Sequence, residues 1–289
     1  MRRAFIGTGL IGAGLAEASL RRGDEVHVWN RTASKTVSLV ALGATAHSSA
    51  GEAAAAADFI HVALTSDDAV DFVLPGIAAA ASDEAVLIDH STTSAQRTKE
   101  RQAGWSYALP LIDAPIFMSP AACRAGTGVI VVAGPKHAYE KAEAALAPMS
   151  GKIVYLGEEP GRAAAMKLVG NGLILSLVGG LADAFTVGAP HGLAPSDVLG
   201  LFEHFDLNWV LKGRGAKMAS GDFETSWSLK MARKDIGLML DAAGEAPLTV
   251  LPAMAERADF LIAKGEGDRD VGVLACDVHT RDNHTKEQG

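Results

Sequence analysis

The chain alternates two kinds of hydrophobic pattern over its first half. Short apolar runs at 3–6, 25–30, 59–65, 85–91, 109–114, 128–133 and 152–156 read as buried strands. Between them, 10–22, the alanine-rich 50–57, 67–81, 94–103 and 137–149 carry helical spacing, with Ser94 placed as the N-cap of its helix. Strand followed by helix, repeated, signals right-handed crossovers and a mainly parallel sheet. After 160 no strand is legible, and helical spacing runs through 161–193, onward from 195 to 205, and at 228–243 and 248–264. The pattern predicts an α/β N-terminal domain with a doubly wound parallel sheet at 1–160. An all-α C-terminal domain follows at 161–276, joined to it by a long interdomain helix. The run 277–289, DVHTRDNHTKEQG, lacks apolar anchors and reads as a frayed tail.

The long helix carries the oddest pattern. From 168 to 182 it holds no formal charge, and its only polar side chains are Asn171 and Ser176. That reads as a helix buried on nearly every side. A bilayer span needs about 20 apolar residues; this run is shorter and holds Gly170, Gly172, Gly179 and Gly180, so membrane insertion is the poorer reading. At its entrance Lys167 lies four residues before Asn171, on the same helix face. A lysine there is ordinarily a snorkelling charge; the alternative is a functional cation.

The first strand ends at Gly7-Thr8-Gly9-Leu10-Ile11-Gly12, which opens a helix and is followed by a second strand. That is the context a Rossmann-type dinucleotide fingerprint demands, and it nominates Gly7, Gly9, Leu10, Ile11 and Gly12 for cofactor binding. The helix N-terminus then offers free N–H groups and a positive dipole to a pyrophosphate. After the second strand stand Asn30, Arg31 and Thr32, with Lys35 a turn on. An NAD site places a carboxylate there for the ribose hydroxyls, whereas cationic and hydroxyl donors suit a 2′-phosphate. NADP is therefore expected over NAD, against the alternative that Arg31 is a solvated turn charge. Ligands of such sheets collect at the carboxyl ends of the strands, which adds Leu64, Thr65, Ser91 and Thr92. Each of these pairs also fits a helix N-cap.

Composition narrows the function classes. With 289 residues, 48% of them hydrophobic, a mean hydropathy of +0.17 and a net charge of −8, the chain is globular and offers no basic face to nucleic acid or an anionic membrane. Cys123 and Cys276 are far apart and form no CxxC, which suggests a reducing compartment and neither a disulfide framework nor a zinc site. Met1-Arg2-Arg3 leads straight into a strand without a signal-peptide core, so a cytoplasmic protein is expected. His90, His191 and His204 show no partner spacing and read as cap or surface residues. No metal motif is present in the sequence.

Four segments together resemble the β-hydroxyacid dehydrogenase family, which includes 3-hydroxyisobutyrate dehydrogenases and the tartronate semialdehyde and glyoxylate/succinic semialdehyde reductases. They are IGTGLIGAGLAEASLRRGDEVHVWNRT, LIDHSTTS, GRAAAMKLVGN and ASGDFETSWSLKMARKDIGLML, and the resemblance extends to about residue 276. It implies an NADP-form cofactor loop and a strand end at Ser91 on the nicotinamide side. It further implies Lys167 as catalytic lysine with Asn171 as its partner amide, and Lys234 beside the nicotinamide or the substrate anion. The alternative for Lys234 is an exposed cation paired with Asp235. One departure stands out: where the family runs Asp-Ala-Pro-Val and then Ser-Gly-Gly, which holds a substrate carboxylate, this chain has Asp113-Ala114-Pro115-Ile116 and then Phe117-Met118-Ser119-Pro120. The substrate-facing set is therefore Ser91, Phe117, Met118, Ser119, Lys167 and Asn171, with more apolar surface. Ala163 stands where the family has a second glycine, at little cost.

The expected activity is hydride transfer between NADPH and a small carbonyl or β-hydroxy acid, with Lys167, its pKa lowered by desolvation, as general acid/base. Imine reductases share the architecture; many carry an acidic or aromatic residue in place of the lysine, so Lys167 argues against that reading while Phe117-Met118 argues for it. A third reading is a non-catalytic NADP-binding regulatory module, against which Lys167, Asn171 and Lys234 speak. A helix too apolar for one neighbour suggests a homodimer through the helical domain, with Trp209 and Trp227 as packing anchors.

Overall fold

A computed structural model describes residues 1–279. Six strands, β1 (Arg2–Ile6), β2 (Glu25–Trp29), β3 (Thr45–Ala46), β4 (Phe59–Val62), β5 (Val86–Asp89) and β6 (Leu111–Asp113), form one parallel sheet in the order β3-β2-β1-β4-β5-β6. The crossover helices are α1 (Leu10–Arg21), α2 (Val37–Ala41), α3 (Ala50–Ala55), α4 (Asp67–Ala80) and α5 (Ala95–Ala103). Both sheet faces are covered, and the period-two alternation of the strands divides their side chains between two cores. Phe5, Val28, Ile88 and Ile112 pack with Leu15 of α1 on one face. Ala4, Ile6, Ile60, Val62 and Leu87 pack with Ala53 of α3 and Val70 and Ile77 of α4 on the other. Ile6 aligns with Trp29 and Val62, Val62 with Asp89, and Asp89 with Asp113, so the carboxyl ends of five strands share one edge.

The two last expected strands do not extend this sheet. β7 (Ile116–Phe117), α6 (Pro120–Ala125), β8 (Val129–Val132), α7 (Lys136–Leu146) and β9 (Lys152–Tyr155) follow, and β7-β8-β9 make a separate small sheet. β7 runs antiparallel and β9 parallel to β8. Pro115, with no N–H to donate, ends the parallel ladder, while its carbonyl accepts from Val131 N at 3.1 Å. β3, β7, α2 and α6 are too short to leave a periodic signature. Ser94 caps α5 by accepting from Arg97 N, as the sequence predicts.

α8 (Arg162–Gly188) is one continuous helix of 27 residues. The expectation that it is buried on nearly every side is corrected. Leu173, Ile174, Leu175, Leu177 and Val178 are 52–69% exposed. Apolar composition shows that a surface avoids water, and it is silent on which chain supplies the cover. By length and composition α8 is also long and apolar enough to cross a bilayer.

The chain groups into two compact units, Met1–Gly172 and a second that begins at Leu173, so this grouping divides inside α8. The second unit holds the rest of α8, α9 (Pro195–Leu201), α10 (Gly215–Ser220), α11 (Leu229–Ala243) and α12 (Leu251–Ala263). Asp183 of α8 accepts the N–H groups of Thr249, Val250 and Leu251 and so caps the approach to α12. Asp270 is buried and accepts from Ser226, Trp227 and Gly272 N–H groups and the Ser226 hydroxyl, with Arg214 as ion-pair partner. Those donors hold its carboxyl far below the ordinary range despite its burial. Of the expected tail, 277–279 continues a helical turn, with Asp277 paired to Arg257 at 2.6 Å and His279 Nε2 donating to Met218 O at 2.7 Å; the remainder lies outside the described residues.

Candidate active site

The glycine turn is built by contacts that exclude side chains. Gly7 has φ +95°, and a Cβ there would strike the Ala63 carbonyl; a Cβ on Gly12 would strike the Gly7 carbonyl. Gly9, the N-cap of α1, differs. A Cβ on it meets nothing within 4 Å, so packing does not require this glycine; it leaves bare backbone above a helix N-terminus. The turn is tied to the segment after β2: Thr8 N donates to Asn30 Oδ1 at 3.2 Å, Asn30 Nδ2 donates to Thr32 O at 3.0 Å, and the Thr8 hydroxyl donates to Lys35 O at 3.0 Å. Between them lies a cleft of about 420 Å³ lined by Gly7, Gly9, Asn30, Arg31, Thr32, Lys35, Leu64 and Thr65. Trp29, Asp68, Ala69 and Phe72 also line it, with Phe72 77% exposed on α4.

Beside the cleft the strand ends are knitted by buried polar groups. Ser91 is buried; its hydroxyl accepts from Leu64 N at 3.0 Å and its N–H donates to Asp89 Oδ1 at 2.9 Å. His90 Nδ1 lies 2.7 Å from Ala114 O and must donate to it, so His90 Nε2 accepts from His61 Nδ1 at 2.9 Å. His61 Nε2 is left to accept from Arg3 at 3.4 Å. Every ring nitrogen in this row is assigned with both rings neutral. Burial pushes His90 down to about 4 and holds His61 well below its ordinary value, with His90, Arg3 and Arg22 adding repulsion to His61. Asp89 and Asp113 are buried on adjacent strands; burial raises both carboxyls, and the Asp89 charge raises Asp113 further. Asp113 Oδ2 accepts from Ala164 N at 2.7 Å, pinning the first turn of α8 to the sheet.

Lys167 sits one turn beyond that pin. It is 9% exposed, and among the described residues it makes no hydrogen bond or ion pair. Burial lowers its pKa, and among the described residues no ion pair offsets the loss of water. Its Nζ lies 4.1 Å from the centroid of the Phe117 ring. A partly desolvated amine at a helix entrance gives up a proton more readily than a solvated one, and its charge can stabilise a growing anion.

The matching family model describes the NAD binding domain of 6-phosphogluconate dehydrogenase and covers residues 2–157. An uncharacterized oxidoreductase, YfjR, of Bacillus subtilis is 30% identical over 286 residues, covering 95% of this chain and 98% of that one. The chain belongs to the β-hydroxyacid dehydrogenase family. It is an NAD(P)-dependent oxidoreductase. Glyoxylate/succinic semialdehyde reductase 2, chloroplastic, of Arabidopsis thaliana is 30% identical over 272 residues, 92% of this chain and 75% of its own length. In fold the chain is similar to a reductive aminase of Aspergillus terreus in complex with NADPH4, cyclohexanone and allyl amine. That match has a TM-score of 0.84 at 21% identity and covers 94% of this chain and 97% of that one.

Within this β-hydroxyacid dehydrogenase fold the expected residues fall into groups. Eight of the expected cofactor residues line the cleft named above; Leu10 is exposed beside it, Ile11 packs on the core, and Gly12 is the packing glycine of the turn. Ser91 is buried as a strand-end tie, and Thr92 is exposed. Lys167, Phe117 and Met118 belong to the first unit with Asn171, four residues along α8. The Ser119 hydroxyl accepts from Ala122 N and caps α6. Lys234 lies on α11 in the second unit, exposed, 2.6 Å from Asp235. His90 is neither a cap nor a surface residue as expected: it is buried in a row whose partner, His61, lies 29 positions away on the next strand. Sequence spacing cannot show that neighbour. Phe72 was legible in principle, since it falls off the Val70-Val73-Leu74-Ile77 stripe that α4 buries.

Proposed function

We propose that this oxidoreductase prefers NADPH and reduces a small carbonyl compound, or oxidises the corresponding β-hydroxy acid, with Lys167 delivering the proton. The observation that carries the reading is Lys167 itself: a buried cation with lowered pKa and, among the described residues, no anionic partner. The cleft residues fit the cofactor. The bare backbone at Gly9 and the α1 N-terminus would take the pyrophosphate, and Arg31, Thr32 and Lys35 would take a 2′-phosphate. When bound, NADPH supplies the hydride. Lys167 donates a proton to the oxygen that becomes an alkoxide, and Asn171, on the same helix face, orients that oxygen by its amide.

A second reading, reduction of an imine, is favoured by one observation: Phe117 stands beside the lysine where a carboxylate-binding group would make a semialdehyde acid welcome. NADPH consumption with glyoxylate and succinic semialdehyde, against cyclohexanone with allyl amine, separates the two. Turnover of the acids alone supports the first, turnover of the amine pair alone the second, and turnover of none sinks both.

The exposed apolar stripe of α8 supports a homodimer. In the second unit an apolar groove of about 480 Å³, lined by Val187, Leu193, Leu201 and Met254 among others, adds to that surface.

A further inference from the structure

Phe117 is the last residue of β7, paired with Val129 of β8, and its side chain joins the cluster of Val131, Ala133 and Ala163. Three positions of α8 meet that neighbourhood. Ala163 is fully buried in the cluster, Lys167 holds its Nζ 4.1 Å from the ring centroid, and a Cβ built on Gly170 would lie 2.5 Å from ring atoms Cε1 and Cζ. Positions 163, 167 and 170 are i, i+4 and i+7, a single stripe of the helix. The ring therefore runs along one helix face, its edge seated where Gly170 lacks a side chain and its surface toward the ammonium. A benzyl group has the negative face that attracts a cation, and it presents no oxygen to water.

We propose that Phe117 is the positioning residue for Lys167: seated in the notch at Gly170, its ring fixes where the ammonium stands and keeps water from one side of it. The titratable groups on the surrounding elements are Asp89 on β5 with His90 after it, Asp113 on β6, Lys152 and Tyr155 on β9, Arg97, Lys99, Glu100 and Arg101 on α5, and Arg162 on α8 itself; among the described residues none forms an ion pair or hydrogen bond with Lys167. One oxygen of Asp113 is engaged by Ala164 N, His90 by Ala114 and His61, Tyr155 by Gly134 O, Arg97 by Asp68 and Asp71, Glu100 by Gln96, Arg101 by Asp67 and Asp71, and Arg162 by Glu159. The inference rests on Lys167 as proton donor, yet it can be tested without knowing the substrate.

The test is the rate at which acetic anhydride acylates Lys167 as a function of pH, located by peptide mass spectrometry, with a free lysine peptide in the same solution as reference. Melting temperature and NADPH fluorescence confirm that each variant folds and binds cofactor. In the native chain Lys167 reacts with a midpoint below that of the free peptide. Phe117→Ser admits water and moves the midpoint up toward that of the free peptide; Phe117→Leu keeps water out but loses the aromatic face, so the midpoint stays low or falls. Gly170→Ala displaces the ring and reproduces Phe117→Ser, and in Gly170→Ala/Phe117→Ser the second change adds nothing to the first. If Phe117→Ser does not fold, Gly170→Ala and Phe117→Leu carry the comparison. An unmoved midpoint in Phe117→Ser and Gly170→Ala, or additive effects of the two, overturns the proposal. With any carbonyl or imine that the native chain reduces, kcat in Gly170→Ala falls about tenfold or more at unchanged KM for NADPH. Absence of turnover by the native chain would defeat the functional reading while leaving the labelling result to decide the role of Phe117.

Discussion

At the scale of single residues, the proposed function gives two cations distinct tasks. Lys167→Ala is expected to lower kcat for carbonyl reduction by about 10²–10⁴-fold while NADPH still binds, as fluorescence titration would show. Lys167→Arg does not restore it, because a guanidinium stays protonated to a pH above about 12. Arg31→Ala weakens NADPH by roughly 1.5–3 kcal/mol, the worth of a hydrogen bond to a charged group, and leaves NADH affinity unchanged; equal losses for both cofactors would show that Arg31 reads something other than the 2′-phosphate. Both residues were legible because each sits at a fixed offset from a pattern, Arg31 just past a strand that follows a glycine turn, and Lys167 at the mouth of an uncharged helix. Phe117's contact with Lys167 was not. Fifty positions separate the two residues, and only the small sheet brings its ring to α8.

At the scale of elements, the entrance of α8 depends on a carboxyl borrowed from the sheet. Asp113→Ala removes the acceptor for Ala164 N and is expected to cost about 1–2 kcal/mol, as loss of a helix cap does, measured by urea unfolding. Asp113→Asn keeps an oxygen for that N–H and discards the charge. Burial raises the folded-state pKa of Asp113 above its unfolded value, so the stability linked to its proton is present at low pH and lost as pH rises through the raised pKa. At neutral pH the Asn variant should therefore match or exceed the native chain; a loss as large as that of the Ala variant would mean that the ionised carboxylate is the stabilising form. The elements themselves were read well where they are long. The longer strands of the parallel sheet and the crossover helices other than α2 follow from apolar runs and caps, whereas β3, β7 and α2 fall below any period, and Pro115 redirected strands that the pattern alone would have added to the main sheet.

For the whole molecule, acid is expected to loosen the first unit through its histidine row. His90 is lowered to about 4 in the fold and titrates near 6.5 when unfolded. Between those values the unfolded chain binds more protons, so stability falls as pH drops from about 6.5 toward 4. Melting temperature followed across that window should fall less in His61→Asn/His90→Asn than in the native chain; parallel curves would remove the row from the account. The exposed stripe of α8 makes a second global prediction: Leu175→Glu should convert a dimer to monomers by light scattering, and a native chain that is already monomeric at micromolar concentration would refute the homodimer. Here the sequence was informative and incomplete at once, since Leu173–Val178 announced a surface that avoids water without saying that most of it stands exposed among the described residues.

The division of the chain falls within the continuous helix α8, after Gly172. Glycine turn, cleft, Phe117, Met118, Lys167 and Asn171 all belong to the first unit, so the residues proposed to hold cofactor, proton and substrate, Lys234 apart, are inherited as one block. Grafting residues from 173 onward of a relative onto this first unit should then leave that block unaltered.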